Sequence, residues 1–200
     1  MPGAGLSSLV TEADEPARVL IVDDERDLAD AYASRLADSY DVTAVYSGED
    51  AVEELGNGYD VMLLDRRMPG LSGAEVLEER RDRGLALRVV VVTAVDPEFD
   101  IPDVPYDDYL VKPVDGDDLH RAVERALALA RYNRRLQDLN SLRLERNVLE
   151  VEAEDGEGDP EESEEYRELT AEMDRLRAEL ADLEREIERD FDLEDVELYL

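Results

Sequence analysis

Five short apolar segments between residues 18 and 113 constrain the fold of this chain more than any other feature. The five segments are RVLIVDD, DVTAVY, DVMLLD, LRVVVVTA and DDYLVKP. Most of them contain an almost uninterrupted run of apolar residues. A continuous apolar run is typical of a strand buried on both faces, as in parallel sheets that are covered by helices. Segments with helical spacing lie between the first four runs. The alternation predicts an α/β fold with a doubly wound, five-stranded parallel sheet.

The fourth crossover departs from this alternation. The stretch from Thr93 to Tyr109 contains Pro97, Pro102 and Pro105, which interrupt any helix longer than about one turn. We therefore predict that the fourth helix is short or missing and that a loop joins the last two strands.

The periodicity changes after Pro113. No glycine or proline stands between Asp117 and Gly156, which predicts a single long helix, and an acidic, turn-like stretch follows near 154–162. Beyond it, apolar residues recur at alternating spacings of three and four: Tyr166, Leu169, Met173, Leu176, Leu180, Leu183 and Ile187. The long helix carries a looser seam: Leu129, Tyr132, Leu136, Leu139, Leu142 and Leu149. We predict a C-terminal helical hairpin or coiled coil that closes on itself or on a second subunit.

The balance of charge limits the partners of the chain. Its 55 acidic and 22 basic residues give a formal net charge of −33. A charge of this size repels itself unless salt screens it, so a salt-rich host is favoured over a cationic partner as its explanation. Such a surface has no electrostatic footprint for a phosphate backbone. The absence of cysteine excludes disulfides and thiolate metal sites.

The N-terminal residues 1–17 are polar and are predicted to form a disordered tail. They lack the basic and apolar segments of a secretory signal. No apolar run approaches the roughly 18 residues that indicate a membrane helix. We therefore expect a soluble, cytoplasmic protein.

Polar side chains end several of the predicted strands. Asp23 and Asp24 follow the first apolar run and Asp65 ends the third, and ligands bind at this edge of open α/β sheets. Carboxylates that converge there repel one another unless a hard cation joins them, and oxygen ligands suit Mg²⁺. Thr93 ends the fourth run, and Lys112, the one lysine of the chain, follows the fifth. A carboxylate, a divalent cation, a hydroxyl and a lysine together favour phosphoryl transfer.

The blocks LIVDDE, LLDRRMPGLSG, VVTA and DYLVKP, in this order, resemble the signature of the receiver domain of two-component response regulators. The resemblance implies a flavodoxin-like fold with strand order 2-1-3-4-5 and a sensor histidine kinase as partner. It implies that Asp65 is the phosphoacceptor and that a Mg²⁺ cofactor is bound by Asp23, Asp24, Asp65 and the backbone carbonyl of Arg67. The remaining implied roles are the switch hydroxyl (Thr93), the switch aromatic (Tyr109), the phosphate-binding lysine (Lys112) and a cis peptide before Pro113.

The C-terminal helices resemble the HalX-type extension of receivers from salt-loving archaea. We accordingly predict a receiver domain over residues 18–130 and a helical extension over 131–200, continuous with the last receiver helix. Residues 152–200 contain 22 acids and 5 arginines, a net charge of −17, which disfavours binding to DNA. The arginines of the long helix that precedes this segment could instead face a phosphate backbone. Pairing of those arginines with acids of the second helix is the favoured alternative. A protein-interaction arm, with a possible homodimer, is therefore the preferred output.

Two other functions compete with the phosphorylation switch. One is a DNA-binding transcriptional regulator that acts through the C-terminal helices. The lack of a recognisable helix-turn-helix argues against this function. The other is a Mg²⁺-dependent phosphatase with an aspartyl nucleophile, a class that places a second acid where this chain has Arg67. No separate substrate turnover is therefore expected. His120 is interpreted as a surface residue. For Arg67, the resemblance implies a position beside the path of hydrolytic water, and the alternative is that it balances the charge of nearby acidic residues.

Overall fold

A computed structural model describes residues 16–94, 106–155, 159 and 163–190. Five parallel strands form one sheet in the order β2-β1-β3-β4-β5. The strands are β1 (Arg18–Val22), β2 (Asp41–Val45), β3 (Val61–Asp65), β4 (Arg88–Thr93) and β5 (Asp108–Val111), and the helices are α1 (Arg26–Leu36), α2 (Gly48–Glu54), α3 (Gly73–Asp82), α4 (Gly116–Asp155) and α5 (Glu164–Asp190). This topology confirms the predicted doubly wound, flavodoxin-like receiver fold.

The central strands are buried as their composition predicts. All five residues of β3 are buried, as are five of the six in β4. The core between sheet and helices includes Leu20, Leu64 and Val89, with Val76 and Leu77 of α3 packed against them. Burial of an aliphatic side chain of this size contributes about 1.5–3 kcal/mol, so this layer is the main source of stability for the sheet.

Local capping fixes where the short helices begin. Ser72 accepts a hydrogen bond from the backbone N–H of Glu75, and the Glu75 side chain accepts one from the backbone N–H of Ser72, which is the reciprocal pattern of a capping box. Ser47 caps α2 through the N–H of Asp50. The first helix has Glu25 at its N-cap without a side-chain cap, and the Asp23 carboxylate instead accepts from the Glu25 N–H.

The chain divides into two compact units, residues 1–120 and 121–200. The second unit is an antiparallel hairpin of α4 and α5. Its core contains Ala128, Leu129, Tyr132 and Leu139 of α4 and Met173, Leu176, Leu180 and Ile187 of α5. The part of the predicted α5 seam from Met173 to Ile187 thus faces this core, whereas Tyr166 and Leu169 are half-buried and lie outside it. Leu136, which was assigned to the seam of α4, is 37% exposed and lies outside this core, so that assignment was wrong.

Three predictions fall outside the described residues. They are most of the disordered tail, of which only residues 16 and 17 are described, most of the fourth crossover and most of the acidic turn near 154–162. Among the helices of the described ranges, none is long and apolar enough to cross a membrane. The boundary between receiver and extension at residue 130 stays a prediction.

Candidate functional site

The polar residues predicted from the strand ends meet at one edge of the sheet. Asp65 ends β3 and Thr93 ends β4, while Asp23 and Lys112 directly follow β1 and β5. All four strands are parallel and hydrogen-bonded side by side in the order β1-β3-β4-β5, so their carboxyl ends converge. Asp23, Asp65 and Thr93 are buried, with exposed fractions of 2%, 6% and 4%. A cluster of buried polar groups at this edge has the position and chemistry of a ligand site.

Lys112 is the cation of this cluster. Its Nζ atom donates a hydrogen bond to Oδ2 of Asp23 at 2.8 Å and forms an ion pair with Oδ1 of Asp65 at 2.9 Å. Burial disfavours its positive charge, but the hydrogen bonds and charges of the two carboxylates outweigh this, and the pKa of Lys112 lies above its ordinary value. The lysine is therefore held fully charged between two carboxylates.

Both carboxylate oxygens of Asp65 have partners. Oδ1 faces Lys112, and Oδ2 accepts a hydrogen bond from the backbone N–H of Arg67 at 3.0 Å. Burial raises the pKa of Asp65 above the ordinary carboxyl value, although Lys112 and the Arg67 N–H oppose this. A buried carboxylate that is held in a fixed orientation is a suitable oxygen nucleophile.

The three aspartates fit a divalent cation. One carboxylate oxygen from each of Asp23, Asp24 and Asp65 lies within 4.8 Å of the others, and Asp24 is exposed while the other two are buried. A cluster of oxygen ligands that is open on one side suits Mg²⁺, which retains several waters. These residues would hold the ion. Lys112 already neutralises part of the negative charge of Asp23 and Asp65.

A glycine allows the backbone to approach the site closely. A Cβ atom on Gly73, at the start of α3, would lie 2.5 Å from the carbonyl oxygen of Asp65 and 2.9 Å from Cα of Arg66. The Gly73 N–H also donates to the carbonyl of Arg66 at 3.1 Å. Gly73 therefore sets the path of the chain immediately after Asp65.

The proposed switch residues occupy β4 and β5. The backbone N–H of Lys112 donates to the carbonyl of Thr93 at 2.7 Å, so the two residues are joined through their backbones. Tyr109 lies on β5, pairs with Val91 of β4 in register, and is 42% exposed. The peptide bond between Lys112 and Pro113 is cis.

Three residues near the site were missed by the sequence reasoning. Gly73 was quoted only as part of a signature block, and its tight packing needs the three-dimensional path of α3. Glu25 places an exposed carboxylate 4.0 Å from Lys112 Nζ. Tyr32 of α1 is buried, and burial raises its pKa, with Lys112, Asp23 and Asp65 acting on it through their charges. Nothing in the sequence pattern linked Tyr32 to the polar residues at the strand ends.

His120 lies at the other end of α1. Its Nε2 atom is 3.1 Å from the carbonyl oxygen of Arg35, and its ring is 5.8 Å from that of Tyr40. The histidine therefore contacts the end of α1, away from the aspartate cluster.

Two regions of the chain match known families. Residues 19–124 match the family described as Response regulator receiver domain, and residues 128–197 match the HalX domain. A Haloferax volcanii protein that carries the name of a transcriptional regulator is 48% identical over 110 residues, which cover 54% of this chain and 19% of that protein. Transcriptional regulatory protein DltR of Streptococcus agalactiae is 34% identical over 69% of this chain and 64% of its own length. The match thus spans less than two thirds of these curated relatives.

Solved structures show the same fold for the first unit. Response regulator protein TrrA of Thermotoga maritima, in complex with Mg²⁺ and BeF, is 32% identical, with a TM-score of 0.51 over 56% of this chain and 99% of that one. The receiver domain of the Francisella response regulator 1452 is 29% identical, with a TM-score of 0.52 over 56% of this chain and 96% of that one. The chain therefore belongs to the response regulator receiver domain family, and its receiver domain is followed by a HalX domain.

Proposed function

We propose that the protein is a phosphorylation switch in which Asp65 accepts a phosphoryl group from a sensor histidine kinase and the change passes to the C-terminal hairpin. The observation that carries this proposal is the position of Lys112, whose Nζ lies 2.8 Å from Asp23 and 2.9 Å from Asp65. A charged lysine beside a buried carboxylate can bind a phosphoryl oxygen as soon as that carboxylate becomes phosphorylated.

The transfer step follows from this arrangement. A carboxylate oxygen of Asp65 attacks the phosphorus atom of the donor phosphohistidine, the P–N bond breaks, and the imidazole leaves and takes up a proton from solvent. Asp23, Asp24 and Asp65, with the carbonyl oxygen of Arg67, would hold Mg²⁺, which supplies positive charge to the phosphoryl oxygens. Lys112 gives up its contact with the Asp65 oxygen and pairs with a phosphoryl oxygen.

The switch step uses Thr93 and Tyr109. The Thr93 hydroxyl turns toward a phosphoryl oxygen, and the exposed ring of Tyr109 moves into the space that the threonine leaves. Phosphorylation then favours a conformer that already exists at low population. The boundary that we propose between receiver and helical extension, at residue 130, lies within α4, which gives the change a continuous path along one helix.

Protein interaction is the proposed output of the hairpin. Arg131 forms an ion pair with Glu186 at 3.7 Å, and Arg135 forms one with Glu179 at 3.1 Å. These arginines neutralise acids of the neighbouring helix, which reduces their availability to a phosphate backbone. A cationic or uncharged protein surface is therefore the better partner for this unit.

DNA binding through the C-terminal helices is the second candidate. It is favoured by the names of the two relatives described above, which refer to transcriptional regulation. Fluorescence anisotropy of labelled promoter fragments in concentrated KCl, with and without phosphorylation, distinguishes the candidates. Sequence-specific binding at nanomolar protein would favour the DNA-binding function over the protein-interaction arm.

The switch itself is tested by intact-mass measurement. Wild type and Asp65→Asn are incubated with acetyl phosphate and Mg²⁺ in concentrated KCl, which provides a phosphoryl donor without a kinase. We expect a phosphate-sized increase in wild type that is absent from Asp65→Asn. Equal modification of both proteins, or of neither in the folded state, would overturn the assignment of Asp65.

A further inference from the structure

The hairpin carries an exposed aliphatic stripe on the far side of α4. Leu144, Val148 and Val151 are 69%, 56% and 58% exposed, the highest values among the large hydrophobic residues of the described ranges. Their spacing of four and three residues places them on one helix face. Leu144 stands five positions after the buried Leu139, which is about 140° around the helix and therefore faces away from α5.

This stripe lies in an uncharged row of a highly charged protein. The exposed positions that share its face from residue 137 to 151 carry no charge: Gln137, Asn140, Ser141, Leu144, Asn147, Val148 and Val151. Charged residues make up 38% of the whole chain, whose net charge is −33. An uncharged row of about four turns is where a second strongly acidic surface can approach with the least repulsion.

The segment around this row is not acidic, unlike the rest of the hairpin. Residues 131–150 hold five arginines and three acids, whereas residues 152–200 have a net charge of −17. A basic partner of the hairpin would be attracted to its acidic faces, which would leave the aliphatic row uncovered. A second copy of the chain, in contrast, presents the identical row, and such a self-complementary contact is the isologous interface of a two-fold dimer.

We propose that the stripe of Leu144, Val148 and Val151 pairs with the same stripe of a second copy, so that α4 packs against α4 and Val148 lies near the two-fold axis. The stripe covers only about two helical turns, and the area it can bury is below the roughly 1,200–2,000 Å² of a standard interface. Dimerisation is therefore weak and depends on concentration, and it strengthens as salt screens the acidic faces.

Sedimentation velocity of the full chain without acetyl phosphate tests this proposal independently of Asp65. In concentrated KCl we expect wild type to shift from monomer to dimer as its concentration rises, and Leu144→Gln/Val148→Gln to remain monomeric. The matched control is Val111→Gln, which changes a valine of β5 that is 44% exposed. It should dimerise as wild type does. A monomer at every concentration would overturn the proposal, and a dimer that survives the double substitution would overturn it as well.

Two variants with one cysteine each give a second, independent readout. The chain has no cysteine of its own, so Val148→Cys introduces a single thiol, and Ala178→Cys places one on an exposed position of α5. Under mild oxidation we expect Val148→Cys to form a disulfide-linked dimer much faster than Ala178→Cys. Equal rates would show that α4 does not pair through this face.

Discussion

Nζ of Lys112 lies 2.9 Å from Oδ1 of Asp65, so the phosphate-binding group that we propose is already in contact with the proposed acceptor before any phosphoryl group arrives. The same nitrogen contacts Asp23 at 2.8 Å. Lys112 is therefore the cation that makes two buried carboxylates tolerable. A Mg²⁺ ion held by the aspartates would share their negative charge with the lysine.

This relationship predicts the behaviour of Lys112→Met. Loss of the ammonium group leaves Asp23 and Asp65 without their cation, which should lower the free energy of unfolding by roughly 1–3 kcal/mol when Mg²⁺ is absent. The same change removes a positive charge that opposes metal binding, so the affinity for Mg²⁺ should rise. Urea denaturation at constant ionic strength, with and without Mg²⁺, measures both effects. Unchanged stability in Mg²⁺-free buffer would contradict the role given to Lys112.

The two N-terminal aspartates should differ in their contributions. Asp23 is buried and bound to Lys112 and to the Glu25 N–H, whereas Asp24 is exposed. We expect Asp23→Asn and Asp24→Asn both to weaken Mg²⁺ binding by tenfold or more, about 1.4 kcal/mol, because each removes one proposed charged ligand. Only Asp23→Asn should alter the stability of the metal-free protein. Isothermal titration calorimetry and thermal melting separate the two effects, and a large loss of metal-free stability in Asp24→Asn would oppose this division.

The sheet and the site were predictable because parallel strands impose their own pattern. The apolar runs of β1, β3 and β4 mark strands buried on both faces, and the convergence of Asp65 and Thr93 follows from strand order alone. The contact of Glu25 with Lys112 could not be predicted in the same way, because it depends on where the first helix begins. Leu136 was misassigned for a related reason: apolar spacing identifies a helix face, but only the partner helix decides where that face ends.

Gly73 should be sensitive to a single methyl group. A Cβ there would meet the Asp65 carbonyl at 2.5 Å, so Gly73→Ala must displace the backbone that carries the proposed acceptor. We expect a loss of about 1–3 kcal/mol in unfolding free energy and slower incorporation of phosphate from acetyl phosphate. Gly116→Ala is the matched control, since a Cβ at that helix position would meet only the Arg35 side chain at 3.6 Å. Equal effects of the two substitutions would show that the close approach at Gly73 is unimportant.

Two tyrosine–glutamate hydrogen bonds join the hairpin in opposite directions. Tyr132 of α4 donates to Glu184 of α5, and Tyr166 of α5 donates to Glu150 of α4, at 2.8 Å and 2.9 Å. The hydrogen bond to Glu184, followed by burial, raises the pKa of Tyr132 above its ordinary value. The folded state thus holds this proton more tightly than the unfolded state, so the contribution is complete below the ordinary tyrosine pKa and is lost as pH rises through the raised one.

This linkage predicts that the hairpin becomes less stable in alkali. Wild type should lose more stability than Tyr132→Phe between about pH 9 and 12, because the phenylalanine has no proton to release. Near pH 7, Tyr132→Phe should be less stable than wild type by up to about 1.5 kcal/mol, since a hydrogen bond to a charged acceptor is removed. Urea denaturation followed by far-ultraviolet circular dichroism across this pH range, at fixed KCl, measures the difference between the two proteins. Other tyrosines titrate equally in both proteins, so parallel pH profiles would exclude Tyr132 as the cause of the loss of stability in alkali. Stability curves that converge in alkali would instead identify the hydrogen bond between Tyr132 and Glu184 as a contribution to hairpin stability.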